Sequence, residues 1–200
     1  MPFVFRPAFG PILTVVVGVV CAVALVTTVV HDGLPGLLAL PWMLLIAGAC
    51  WAVFWRPQVR VDDAGVHLVN VLRTIDLPWP SIQLVDTKWA LSLVTTYGTF
   101  TAWAAPTSTR RSGQEISPGD LDALPTSTFG AGRSIRPGDS PDAPSGQAAM
   151  MIRRRWEELR EAGHLDRPRL ESDRPPVRWH WVTIGAGLLL TVLGMLAAGS

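Results

Sequence analysis

The chain alternates between long apolar runs and a polar middle. Three runs contain no Asp, Glu, Lys or Arg: residues 7–30, 33–55 and 179–200. A bilayer core is about 30 Å thick and a helix rises about 1.5 Å per residue, so roughly 20 apolar residues cross it. Each run is long enough. The pattern therefore predicts three transmembrane helices at about residues 11–30, 33–55 and 181–199, the first two forming a hairpin within residues 9–55.

Basic residues near the ends of these spans predict the orientation. The seven concerned are Arg6, Arg56, Arg60, Arg167, Arg169, Arg174 and Arg178. All fall on one side, because the connection at His31 and Asp32 carries no Lys or Arg. The positive-inside rule then predicts a multi-pass protein of the inner or plasma membrane, with the N-terminus and middle segment cytoplasmic and the C-terminus outside. Four tryptophans would form an aromatic belt at the cytoplasmic interface: Trp51, Trp55, Trp179 and Trp181.

The segment that follows the second span has the pattern of a small β-sheet. Polar and apolar residues alternate with a period of two from Gln58 to Asp62, and Gly65 supplies a turn. Similar short runs continue to residue 104, with a hairpin turn at Tyr97 and Gly98. Residues 56–104 are therefore predicted to form about six short strands in an antiparallel meander.

The remainder of the middle segment divides into three parts. In residues 105–147, more than half of the positions are Pro, Gly, Ser or Thr, which predicts a flexible loop. Residues 148–163 form an amphipathic helix whose apolar face, with Ile152 and Trp156, is predicted to pack on or near the sheet. Residues 164–178 link that helix to the third span. The predicted fold class is thus a membrane protein with three transmembrane α-helices and a small cytoplasmic antiparallel β domain with a C-terminal helix.

Three short runs resemble a known family. They are Arg-Pro-Gln-Val-Arg-Val-Asp-Asp-Ala-Gly-Val at 56–66, Asn-Val-Leu-Arg-Thr at 70–74 and Leu-Pro-Trp-Pro-Ser-Ile at 77–82. These runs resemble the bacterial pleckstrin-homology-like (PH-like) domain of actinobacterial membrane proteins of the low molecular weight protein antigen 6 type. In that family two membrane helices precede a short PH-like sheet, so the resemblance covers about residues 10–104. It implies structural roles for Gly65 in the turn and for Trp79 and Ile82 in a Trp-x-x-Ile step. The long loop and third span depart from that pattern, and the resemblance implies no general activity. Because the first turn is acidic, it does not imply phosphoinositide binding.

The composition and motifs narrow the function further. Charged residues make up 16% of the chain and hydrophobic residues 48%, which excludes a wholly soluble or a fully disordered protein. The net charge of +1 gives no reason to expect nucleic acid as a partner. The spans carry no acidic or basic residue of the kind that marks a pump. The middle segment has no Cys and no catalytic or metal-binding motif, so we expect no enzyme activity, cofactor, metal site or small-molecule substrate. The alternative, a membrane enzyme, would use a cluster such as His67, Asp76 and Asp86.

Two non-catalytic roles remain open at this point. The first is a protein-binding or assembly role, in which the PH-like domain offers an open sheet edge to a protein partner at the membrane. The second is a regulator that senses anionic lipid through Arg153, Arg154 and Arg155 on the predicted helix. Alternatively, these arginines form a solvent-exposed helix face whose charge is balanced by neighbouring glutamates and which binds nothing.

Overall fold

The computed structural model of the protein describes residues 3–107, 128, 137–140, 143–165 and 174–199. The helices and strands are, in chain order, β1 (Phe3–Phe5), α1 (Phe9–Asp32), α2 (Leu40–Cys50), β2 (Gln58–Val61), β3 (Gly65–Val69), β4 (Arg73–Pro78), β5 (Ile82–Asp86), β6 (Ala90–Thr95), β7 (Gly98–Pro106), α3 (Pro144–Glu161), β8 (Val177–Trp179) and α4 (Trp181–Ala198).

The chain divides into two compact units. The β unit comprises Met1–Arg6, Gln58–Asn70 and Thr74–Arg178, and the helical unit comprises Pro7–Pro57, Val71–Arg73 and Trp179–Ser200. The β unit is therefore assembled from segments that lie before, between and after the apolar runs.

The helical unit contains three helices long and apolar enough to cross a membrane. They are Phe9–Asp32, Leu34–Trp55 and Trp181–Ala198, with mean hydropathies of 2.7, 2.1 and 2.0. Gly33, at φ 70°, ends the first helix and allows the tight turn into the second. The second is not uniform, since α2 is preceded by a 3₁₀ segment, Leu34–Ala39, and followed by a π-helical turn, Trp51–Trp55. The three helices agree with the predicted spans to within a few residues.

Helices α2 and α4 pack against each other in the helical unit. Near one end of the pair the Trp42 indole N–H donates to the Gly194 carbonyl at 3.1 Å, and a Cβ on Gly194 would overlap the Trp42 ring. Near the other end the Arg56 guanidinium donates to the Thr183 hydroxyl. Trp42 and Gly194 lie near the start of α2 and the end of α4, so the two helices are antiparallel.

The β unit contains two antiparallel sheets, which corrects the prediction of a single six-strand meander. The strand orders are β1-β2-β3-β4-β8 and β5-β6-β7. The chain leaves the first sheet at the 3₁₀ turn Trp79–Ser81, where Pro80 interrupts the extended backbone. Strands β1 and β8 were not predicted, because three-residue segments are too short to show alternation. They are held by long-range pairing, such as Phe5 with Val59.

Helix α3 packs on the β unit and completes its core. Ala148, Ala149 and Ile152 are almost fully buried in one hydrophobic cluster with residues of both sheets. The helix begins at Pro144, earlier than the predicted residue 148, because Pro at the first helical turn requires no N–H partner. Parts of the predicted loop 105–147 are therefore structured: β7 runs to Pro106, Pro137–Asp139 is a 3₁₀ turn, and α3 begins at Pro144. Most of the remaining loop lies outside the described residues.

Candidate interaction surface

The three residues that carry the family resemblance lie in the interior of the β unit. Gly65 faces Leu77 of β4, and a Cβ there would come within 2.1 Å of the Leu77 carbonyl oxygen. Trp79 is 3% exposed, and its indole N–H donates to the Asp62 carbonyl at 2.9 Å. Ile82 is buried at the start of β5. Gly65 and Trp79 hold the β2–β3 turn against β4, while Ile82 packs in the core where β5 begins.

Asp62 organises that turn. Its carboxylate accepts the backbone N–H groups of Ala64 at 2.9 Å and Gly65 at 3.1 Å. Burial raises the pKa of the Asp62 carboxyl, but the two backbone N–H donors and nearby His67 outweigh burial and leave the pKa below its ordinary value. The charged form of Asp62 is therefore part of the folded turn.

The structure brings together two of the three residues of the enzyme alternative. His67 lies between two carboxylates, with Nδ1 2.6 Å from Asp76 and Nε2 2.9 Å from Asp62. Asp86 lies instead on β5, in the other sheet, where it accepts the Thr87 N–H. Both ring nitrogens of His67 are occupied, so neither is free to bind a metal or a substrate. No group of three or more metal-ligating side chains occurs among the described residues.

The three consecutive arginines of α3 have side chains in different environments. Arg153 is 5% exposed and forms an ion pair with Asp139 at 2.6 Å. It also donates to the Val85 carbonyl at 2.8 Å. Its burial corrects the prediction that Arg153 contacts lipid headgroups, since a helix turns about 100° per residue and cannot present three consecutive side chains on one face. Arg154 is exposed.

Arg155 is neutralised by its neighbours. Its guanidinium contacts Glu158 at 2.9 Å and Asp63 at 2.6 Å. The bond to Glu158, with further help from Asp63, raises the pKa of Arg155 above its ordinary value although burial opposes it. The shallow groove around it contains Asp62, Asp63 and Glu158 as well as Arg154. This face therefore has mixed charge and is not a basic patch.

The four tryptophans of the predicted belt lie at one end of the helical unit. The π-helical turn that ends the second spanning segment runs from Trp51 to Trp55. Trp179 ends β8 and Trp181 begins the third spanning helix, and the ring centroids of these two residues are 6.0 Å apart. Arg56 lies 5.5 Å from the Trp51 ring centroid, and Arg73 lies 5.7 Å from that of Trp179. Amphipathic rings next to arginines are typical of a membrane interface.

Among the described residues the two sheets have four edges, and three of these edges are short or are bonded by a side chain. Strands β1 and β8 are short edges of three residues each. At the β7 edge the side chain of Asn70 accepts the Trp103 N–H at 2.8 Å and donates to the Thr101 carbonyl at 3.0 Å. The fourth edge is β5, where Gln83 and Leu84 are exposed. The pairing register with β6 shifts between Ile82 and Leu84, so Gln83 forms a β-bulge.

A groove separates the exposed part of β5 from α3. It is lined by Ile82, Gln83, Leu84, Val85, Arg153, Trp156 and Arg160 and has a volume of about 190 Å³. This volume is below the roughly 300–1,000 Å³ of small-molecule sites, so the groove suits one or two side chains and not a cofactor. Leu84 is 58% exposed beside it.

Trp156 forms the helix side of this groove. Its indole N–H is buried and has no hydrogen-bond partner among the described residues. An unsatisfied buried donor costs about 1–3 kcal/mol. The Arg160 guanidinium lies 5.4 Å from the Trp156 ring centroid, and Arg160 forms no ion pair within the described part of the chain. The groove therefore combines an apolar floor with the positive charge of Arg160.

Comparison with known proteins bears on the β unit. A sequence family described as bacterial PH domain matches residues 56–134. The β unit is a bacterial PH-like domain. The two antiparallel sheets and the three apolar helices agree with the predicted fold class, and the protein is a membrane protein that carries this PH domain. No curated protein and no solved structure matches the chain.

Sequence reasoning missed the residues that shape the groove of the PH domain. The sequence predicts only that Leu84 lies in a β-strand. No sequence pattern predicts the bulge beside it or its exposed side chain. Asp139 lies in a Pro- and Gly-rich stretch, 14 residues from the arginine it pairs with. Ile152 and Trp156, four residues apart, did indicate the apolar face of α3. A lone acidic residue in a polar stretch gives no signal of burial.

Proposed function

We propose that this protein is a non-catalytic membrane anchor whose PH domain binds an extended segment of a partner protein along β5, in the groove beside α3. The observation that carries the proposal is the exposed part of the β5 edge at Gln83 and Leu84, which pairs with no strand on that side among the described residues and lies next to Trp156 and Arg160. Addition of a strand at a sheet edge supplies backbone hydrogen bonds, while an adjacent groove selects side chains. The bulge at Gln83 positions Leu84 to contact such a segment.

The groove favours a particular partner chemistry. An apolar side chain would fill the space between Leu84 and Trp156. An acidic residue close to it would meet Arg160, whose charge has no carboxylate partner within the described residues. The expected ligand is therefore an extended segment with an apolar residue next to Asp or Glu.

The experiment is selection of displayed peptides on the full-length protein in detergent. Enriched peptides should carry the apolar–acidic pattern, and their binding should fall at least tenfold in Leu84→Arg. The matched control is Trp89→Arg, because Trp89 is 79% exposed but lies away from the groove on the β5–β6 connection. Equal binding by wild type and Leu84→Arg, or no enrichment, would refute the proposal. Pull-down from membranes with the same two variants would then identify the natural partner.

The orientation is also part of the proposal, with the N-terminus and PH domain cytoplasmic and the C-terminus outside. It is supported by the arginine bias and by the pairing of β1 with β2, because paired strands must lie on the same side of the membrane. Two spans between them satisfy this requirement. A cytoplasm-specific reporter inserted near Gly130, outside the described residues, should be active. Activity of a periplasm-specific reporter at that site would overturn the orientation.

The lipid-sensing alternative on α3 is less well supported. Of the three arginines, Arg153 is buried and Arg155 is paired with two carboxylates. The exposed Arg154 would contribute at most about 1 kcal/mol at an anionic surface, which is too little to recruit a domain. The kinship with actinobacterial proteins of the low molecular weight protein antigen 6 type also stays a proposal, supported by the residues at 56–82 and by the helical hairpin that precedes them.

A further inference from the structure

The helical unit contains a large apolar cleft between α2 with its π-helical turn and α4. Its volume is about 590 Å³, within the range of small-molecule sites. The lining residues are Leu45, Gly48, Ala49, Trp51, Ala52, Val53, Val71, Leu72, Val182, Thr183, Ile184, Ala186, Gly187, Leu188, Leu190 and Thr191. None of these lining residues carries a charge.

Two glycines line the space, one on each helix. A Cβ added at Gly48 or at Gly187 would meet no atom within 4 Å. The helices are therefore not drawn together at these positions, unlike at Gly194, where the Trp42 ring fills the gap. The cleft is open on its outer side, so an occupant from the bilayer can enter it.

The mouth of the cleft is positively charged. Arg56 contacts two of its lining residues, donating to the Thr183 hydroxyl and lying over the Trp51 ring. Arg73 follows Leu72 directly and lies over the Trp179 ring. Neither arginine has a carboxylate partner within the described residues. Two unneutralised guanidinium groups beside interfacial tryptophans complement the phosphate of a lipid headgroup.

We propose that this cleft binds one acyl chain of an anionic phospholipid, whose headgroup phosphate is held by Arg56 with help from Arg73. The cleft lies between membrane-spanning helices, so the bilayer supplies its occupant. A spanning helix about 10–12 Å wide encloses on the order of 3,000 Å³ across the bilayer core, about five times the volume of the cleft. A single hydrocarbon chain is thin enough to enter this space. A spanning helix of a second copy is too large to enter it and could only cover its opening.

Native mass spectrometry of the full-length protein tests this, after exchange into mixed micelles of phosphatidylglycerol and phosphatidylcholine. Wild type should retain one phosphatidylglycerol per chain. Gly187→Leu, which fills the cleft, should reduce retention at least tenfold. The matched control is Gly185→Leu, on the same helix but away from the cleft and equally free of steric conflict. Arg56→Gln should reduce the preference for phosphatidylglycerol and leave zwitterionic phosphatidylcholine bound in its place.

A second measurement needs no variant. Phosphatidylglycerol with a photoreactive acyl chain should cross-link to peptides containing residues 45–53 and 182–191 more than to α1. Equal retention in Gly187→Leu and Gly185→Leu, with cross-links spread evenly over all three helices, would mean bulk lipid only and would overturn the proposal. A dimer that Gly187→Leu abolishes, with no lipid retained by wild type, would assign the cleft to a second copy and would also overturn it.

Discussion

The buried ion pair between Arg153 and Asp139 offers the sharpest test of how α3 is held on the PH domain. The proposed change is Arg153→Met, which keeps much of the side-chain volume and removes the charge. Arg153 and Asp139 have exposed side-chain fractions of 6% and 3%. The change leaves the Asp139 carboxylate buried, with the Thr87 hydroxyl at 2.7 Å as a remaining donor, and deprives the Val85 carbonyl of its guanidinium donor.

The expected cost follows from desolvation. Removing one partner of a buried pair typically destabilises a protein by about 3–5 kcal/mol, because the other charge stays buried without compensation. Adding Asp139→Asn removes that charge, and its amide oxygen can still accept from Thr87. The double variant should therefore be more stable than Arg153→Met alone. An exposed neighbour, Arg154→Met, should change stability by less than about 1 kcal/mol.

Hydrogen exchange of the full-length protein in detergent, read by mass spectrometry, measures the effect where it occurs. Each 1.36 kcal/mol corresponds to a factor of ten, so amides of α3 and β5 should exchange roughly 10²- to 10⁴-fold faster in Arg153→Met, up to the limit set by global unfolding. Exchange within threefold of that in Arg154→Met would refute the reasoning. So would a double variant less protected than the single one.

Two further outcomes concern the β2–β3 turn. Gly65→Ala should lower the thermal unfolding temperature of the PH domain markedly, because a Cβ would lie 2.1 Å from the Leu77 carbonyl oxygen. The control, Gly185→Ala, should leave this temperature unchanged, because no atom lies within 4 Å of the added Cβ. Equal unfolding temperatures for the two variants would contradict the close packing at Gly65. Asp62→Asn should destabilise the domain at neutral pH. Folding lowers the pKa of Asp62. The charged carboxylate therefore stabilises the fold fully above the unfolded-state pKa, and this stabilisation is lost as pH falls through the folded-state pKa. The difference between wild type and Asp62→Asn should therefore shrink below about pH 4, and a difference that grows on acidification would contradict the assignment.

Most elements of the fold could be predicted from the sequence because the patterns that indicate them are local. Runs of about 20 apolar residues and a period-two pattern depend only on neighbours in the chain, and they located the three spans and β2 to β7. The division into two sheets and the edge strands β1 and β8 depend on pairings between distant segments, such as Phe5 with Val59. No periodicity reports such pairings.

The candidate sites were harder to predict for the same reason. Arg153, Arg154 and Arg155 look alike in the sequence, and only the direction in which each leaves α3 separates a buried ion pair from exposed charge. The groove beside β5 depends on a bulge, and the cleft beside Gly48 and Gly187 depends on the spacing of two helices. Glycines are visible within the predicted spans, but the sequence does not tell whether a helix, an aromatic ring or a lipid chain fills the space beside each of them.

Strand β1 has a consequence for biosynthesis. Phe3–Phe5 leaves the ribosome before the two helices of the hairpin, yet its partner strand is made only after about 50 further residues, once both of these helices have been synthesised. The N-terminal strand must therefore wait, unpaired, while the hairpin enters the bilayer. β8 is made after α3 and just before α4, so the sheet closes only after α3 has been synthesised. An affinity tag or fusion placed directly before Phe3 should delay this closure, and protein labelled at an internal site is the better starting material.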